Sequence, residues 1–283
     1  MWYYFDYNGI LIEDYILRHL AGCKRVIFWI TFSAVVFLFC NPAAAEIGKW
    51  KVTKSTHFII YYLSASREYV RQAAREAEYH YTNITEQLGF NRFDFWLWEN
   101  RCKIYLYDTK EDYQGGTGVA SWSRGRVNVL RKEISSYLWQ DEFFDAILPH
   151  EMGHIIFREL IGFDKNIPLW LDEGIACAQE KDIQERLKVA KFLVTLNLYI
   201  PFEDFSNLNK TDLVMPFIFY NEAASIMNFV LNDFSKDLFV SFCRRLRDNN
   251  TGWKEEFLSV YKLKDFKELE QKWVEYYKQD KKP

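Results

Sequence analysis

A chain of 283 residues with 49% hydrophobic content is long enough to bury a substantial core, and a formal net charge of −3 with 27% charged residues is ordinary for a soluble domain. No basic stripe interleaved with aromatics precedes the tail, which sets nucleic acid aside as a partner, and the closing Lys278 to Lys282 cluster reads as a solvated end. Aromatic residues make up 18% of the chain, enough for a tight core with wide apolar grooves; Trp122, Trp139 and Trp170 read as packing residues rather than substrate platforms.

The first informative segment concerns address. Lys24 and Arg25 precede an uncharged apolar run from Val26 to Cys40, and Asn41-Pro42-Ala43-Ala44-Ala45 supplies small residues before Glu46. That is the layout of a secretory signal cleaved after Ala45, so residues 1–45 are set apart as an N-terminal extension and signal peptide. Left uncleaved, residues 26–45 would instead anchor the chain in a membrane. In both cases everything after residue 45 is expected outside the cytoplasm, in the periplasm or secreted. Asp6, Glu13 and Asp14 are unusual at the head of a signal, pointing to an over-extended gene start or a short cytoplasmic extension. Three cysteines follow the signal, Cys102, Cys177 and Cys243, and their odd number allows at most one bridge.

Beyond the signal, Thr56 to Leu63 (THFIIYYL) is rich in β-branched and aromatic residues and predicts a strand. From Ser66 to Leu88, Val70, Ala73, Ala74, Ala77 and Tyr81 keep helical spacing, with Ser66 as cap and Gly89 as stop. Arg101 to Tyr107 alternates as a second strand. The glycine-rich EDYQGGTGVASWSRGRVNVL reads as loop and hairpin, with Gly118 to Ser123 the candidate edge strand. Residues 141 to 160 predict a helix in which Phe144, Ile147, Leu148, Met152, Ile155, Ile156 and Leu160 form a buried stripe, and Pro149 either begins that helix or kinks it. A loop with Gly162 and Pro168 leads to a second helix carrying PLWLDEGIA. Ile183 to Leu198, Phe219 to Leu231, Leu238 to Leu246 and Phe266 to Tyr277 are helical by their apolar spacing. The expectation is an α+β chain: an α/β lobe over 46–165 with a small mixed sheet, then a helical C-terminal lobe over 166–283.

His150-Glu151-Met152-Gly153-His154 carries the chemistry. Residues four apart on a helix sit about 400° around its axis, so both imidazoles project from nearly one line and can grip one ion. Neutral imidazole suits zinc, and a catalytic zinc takes three protein ligands and keeps one open position. Glu173, separated from His154 by 18 intervening residues, is the candidate third ligand, and Glu151 is placed to take a proton from water at the open position. Asp172 is a candidate to orient a ligand imidazole, and Cys177, four residues past Glu173, reads as a buried thiol.

HEMGH, the gap that follows and WLDEGIA together resemble the gluzincin branch of zinc metallopeptidases, and more closely the bacterial peptidase MA-like group, in which LPHE-type and P-x-W-L-x-E-G-x-A strings occur together. The resemblance implies a zincin-like metallopeptidase fold, one Zn²⁺ ion held by His150, His154 and Glu173, Glu151 as catalytic acid and base, and a peptide or protein substrate laid along an edge strand above the metal helix. It also brings forward Tyr220, which heads YNEAASIMNFVL after the third ligand, as the donor to the oxyanion. The GxMEN string of this branch's aminopeptidases is absent, so that activity is not implied. A catalytically silent, zinc-stabilised envelope module and a metal-dependent hydrolase of a non-protein substrate stay open as alternatives.

Overall fold

The computed structural model describes residues 50–90, 96–120, 123–138, 142–209, 215–249 and 251–279. The signal segment, Trp122 and Trp139, and the Lys281–Lys282 end of the basic tail lie outside these residues. Lys51–Pro283 forms one compact unit. Among the described residues no helix is long and apolar enough to cross a membrane.

The chain enters through β1 (Lys51–Lys54) and β2 (Phe58–Tyr62), which pair antiparallel. Helix α1 (Arg67–Gln87) follows, with the Ser66 hydroxyl accepting the Tyr69 amide at its start and Gly89 at φ +77° just past its end, the chemistry its sequence predicts. It returns the chain to β3 (Cys102–Tyr107), parallel to β2. The glycine-rich stretch departs from expectation. Thr109 accepts the Asp112 amide and caps a helix, α2 (Lys110–Thr117), whose buried Tyr113 anchors it despite Gly115 and Gly116. Gly118 takes the left-handed conformation that ends it. The edge strand therefore lies further on than Gly118 to Ser123, at β4 (Gly125–Asn128), hairpinned to β5 (Glu133–Tyr137). Residues 121–122 of the expected strand lie outside the described residues.

The mixed sheet has the order β1-β2-β3-β5-β4, so β4 is an outer strand. Alternation gives it one apolar face, with Phe58, Ile60, Cys102, Ile104, Leu106 and Ile134 all buried. Against that side pack α1 and the helix that carries HEMGH. A π-helical turn, Phe143–Ile147, feeds α3 (Leu148–Ile161), and Pro149 sits in the first α-helical turn, so the helix starts there as a continuation of a wider one. Glu159 on α3 accepts from Trp96 Nε1 at 2.6 Å and from Lys132 Nζ at 2.8 Å, which ties the helix to the sheet's hairpin.

The remainder is helical: α4 (Leu169–Cys177), α5 (Ile183–Thr195), α6 (Phe202–Phe205), α7 (Pro216–Phe229), α8 (Lys236–Asp248), α9 (Trp253–Tyr261) and α10 (Phe266–Lys278). Short α6 and α9 add to the helices expected; Trp253 and Phe257, one turn apart on α9, pack their rings against Trp170 on α4. Trp170 is fully buried, a packing residue as its type predicts. Cys102, Cys177 and Cys243 are buried free thiols.

Candidate metal centre

Helix α3 is buried on every side from Leu148 through Phe157, so its polar residues have to be satisfied by neighbours rather than by water. Helix α4 presents Glu173 to it. The crossing of α4 with α7 depends on Gly174: a Cβ there would stand 2.6 Å from the Ala223 carbonyl oxygen and 2.7 Å from Met227 Cγ, too close for any other residue without a shift of the helices. His150, Glu151, His154 and Glu173 are only 5, 6, 8 and 3% exposed.

The three predicted ligands converge. His150 Nε2 lies 3.3 Å from His154 Nε2, and Glu173 Oε2 lies 3.5 Å from the first and 3.7 Å from the second. Tetrahedral ligands at about 2.0 to 2.1 Å from zinc stand about 3.3 to 3.4 Å from one another, so this triangle has the size a zinc ion requires.

The far side of each imidazole selects its tautomer. His150 Nδ1 is 2.9 Å from Glu180 Oε1, and His154 Nδ1 is 3.1 Å from Asp172 Oδ1. An ionised carboxylate only accepts, so each Nδ1 carries a proton and donates it; in the neutral imidazole, the form that binds a metal, Nε2 is then the acceptor, and here the two Nε2 atoms face each other and a carboxylate oxygen. Three electron-pair donors around one point repel unless a cation lies between them. That chemistry, two imidazoles and one carboxylate, fits zinc.

Each orienting carboxylate is itself held by a guanidinium. Glu180 Oε2 accepts from Arg186 Nε and Nη2 at 2.9 and 2.7 Å, and Asp172 Oδ2 accepts from Arg158 Nε and Nη2 at 3.2 and 2.7 Å. Burial pushes both acids up, but the hydrogen bond from the histidine and the positive charge of the arginine outweigh it and hold Glu180 and Asp172 below the usual carboxylate range. Cys177 Sγ lies 3.9 Å from His150 Nδ1, and burial pushes its thiol up, so it stays a protonated, apolar neighbour. His150, Cys177 and Glu180 are also close enough to hold an ion. Nδ1 and Glu180 already satisfy each other there, however, and Arg186 neutralises the acid.

Glu180, Arg186 and Arg158 were not singled out by the motif. Arg158 lies one turn past His154 and Glu180 two turns' length past Glu173, spacings that hint at a shared face only once the helices are known. Tyr220 is 8% exposed and sits one turn before Ala223 on α7, the helix that abuts Gly174; its ring packs edge-on against Phe219. No known protein-family model matches the chain, and no curated protein matches it.

Proposed function

We propose that the chain is a zinc-dependent metallopeptidase of the gluzincin type, with a zincin-like fold, working outside the cytoplasm. The observation that carries this reading is the triangle of His150 Nε2, His154 Nε2 and Glu173 Oε2, with the buried Glu151 next to His150 along the chain. A mixed sheet over the motif helix, and a following helix that delivers a carboxylate, support the fold assignment. His150, His154 and Glu173 would hold the ion, which when bound polarises the scissile carbonyl and lowers the pKa of water.

The chain's own residues do the rest. Glu180 and Asp172 accept from each Nδ1, which fixes the tautomer that offers Nε2 to the ion and the direction of each ring. Glu151 accepts the proton of the attacking water and passes it to the leaving amine, which needs a carboxylate that reaches the reacting atoms from the side. Its position there depends on β4: Gly125 lies so close that a Cβ would stand 3.2 Å from Glu151 Oε1 and 2.5 Å from Ile147 Cγ2. An extended peptide added to the outer edge of β4 would therefore run past the general base, bound by main-chain hydrogen bonds. Tyr220 is proposed as the donor to the oxyanion, a role commonly worth a few kcal/mol.

The test is the Glu151→Gln variant. It should bind one equivalent of zinc as the parent does and lose hydrolysis of an unfolded-protein substrate by a factor on the order of 10² to 10⁴, the usual range for a general base. Parent-like turnover in that variant would sink the mechanism. Cleavage by the parent that survives a chelator would do the same for the metal.

A further inference from the structure

Side chains of β4 alternate between the two faces of the sheet. Gly125 faces α3, as its contacts with Ile147 and Glu151 require, so Arg126 faces the opposite side, in register with Ser135 on β5, which in turn pairs with Tyr105 on β3. On that face the structure has a cleft of about 230 Å³ walled by Tyr105, Tyr107, Thr117, Arg126, Arg131 and Ser135. Arg126 Nη1 donates to the Thr117 carbonyl, which holds its guanidinium across the cleft. Arg131 enters from the β4–β5 turn, where Asn128 Oδ1 accepts its amide at 3.1 Å. Among the described residues neither guanidinium is paired with a carboxylate; Glu133, which also lines the cleft, is engaged by Lys103 at 3.1 Å. Burial pushes the Tyr105 phenol up to about 12 and raises that of Tyr107, so both remain protonated and able to donate. The cleft thus offers cationic forks and hydroxyls between flat aromatic walls, a lining that calls for a carboxylate.

We propose that Arg126 and Arg131 select an aspartate or glutamate side chain of the peptide, at the position next to the residue that lies opposite Gly125 and Glu151. The inference rests on the metallopeptidase reading. Cross-strand neighbours share a face, so a peptide residue opposite Gly125 turns its side chain toward α3, and the adjacent residue, opposite Arg126, turns its side chain into the cleft. A carboxylate there accepts two parallel hydrogen bonds from a guanidinium that has no ionic partner among the described residues; an amide or a lysine does not.

The experiment compares matched peptides carrying Glu, Gln or Lys at each position around the cleaved bond, using the zinc-loaded full chain. In parallel, anisotropy measures binding of the Glu and Gln peptides to the Glu151→Gln protein. At one position adjacent to the site we expect kcat/KM for Glu to exceed that for Gln by about tenfold or more, the scale of a charge-assisted fork. The ratio should fall toward one in Arg126→Ala and turn in favour of Lys in Arg126→Glu, with Arg131→Ala giving a partial loss should position 126 prove needed for folding. Cleavage with no acidic preference, or a preference untouched by these variants, overturns the inference and leaves the metallopeptidase standing. Cleavage of no peptide, with Arg126-dependent binding of the Glu peptide intact, overturns the hydrolytic reading instead; loss of both overturns the two together.

Discussion

The carboxylates behind the candidate metal centre and Glu222 in the helical lobe meet burial in opposite ways. Glu180 and Asp172 each face a histidine on one oxygen and an arginine on the other, and stay ionised although buried. Glu222, 1% exposed on α7, has no such cation among the described residues. Both its oxygens accept the Ile200 amide, at 3.1 and 3.0 Å, and its charged neighbour is another acid, Glu270, which accepts the Phe202 amide at 2.7 Å. Burial first, and Glu270 second, push Glu222 up to about 8 against the single lowering effect of the Ile200 hydrogen bond. The difference shows what a buried acid needs in order to keep its charge: a partner that is cationic and fixed, since a backbone amide alone does not offset desolvation.

The largest effect available on the metal side is removal of a ligand. His150→Ala and His154→Ala should each abolish stoichiometric zinc binding in equilibrium dialysis and lower peptide hydrolysis by on the order of 10³-fold or more, because two donors do not make a catalytic zinc site. Equal retention of zinc by both variants would break the comparison at its root.

Glu222 comes next. Its pKa is raised in the folded state, so the stability it contributes is fully present below the unfolded carboxylate pKa and is lost as pH rises through about 8. Glu222→Gln keeps an acceptor for Ile200 and removes the titration, and should gain on the order of 3 kcal/mol over the parent between pH 5 and pH 9 in urea unfolding. A difference between variant and parent that does not change with pH would show that the acid is charged throughout.

Smaller effects separate the two histidine relays. Glu180 is 9% exposed and Asp172 19%, so Glu180→Gln leaves its imidazole and Arg186 in the drier surroundings. We expect a loss of zinc affinity of about 100-fold for Glu180→Gln and about tenfold for Asp172→Asn, the two ends of the range for residues that orient ligating histidines. Competition against a chromophoric chelator measures both, and the reverse order would place the governing factor elsewhere than burial.

The relays also differ in how far they could be read in advance. Asp172 adjoins the candidate ligand Glu173 and Arg158 lies one turn past His154, so that relay is nearly contained in the motif. Glu180 lies past the end of α4, in a turn where its amide bonds to the Cys177 carbonyl, and its arginine comes from α5. Nothing in local spacing brings it back to His150. The helix caps at Ser66 and Gly89 and the buried stripe of α3 were legible because each depends on neighbours in sequence. The edge strand was misplaced by several residues because a Thr109 cap and one buried tyrosine make a helix of a stretch whose glycines signal a loop.

By itself the sequence determined the candidate ligand types, their spacing on α3, and most of the helices, since these follow from periodicity and short-range chemistry. Only the tertiary structure decided that Glu173 meets the imidazoles at the size of a zinc ion, that each Nδ1 is turned toward a carboxylate, and that Gly125 brings an outer strand against Glu151 with two guanidiniums on its other face. Those are distances between segments far apart along the chain, set by how helices and sheet pack, and packing is a property of the whole core.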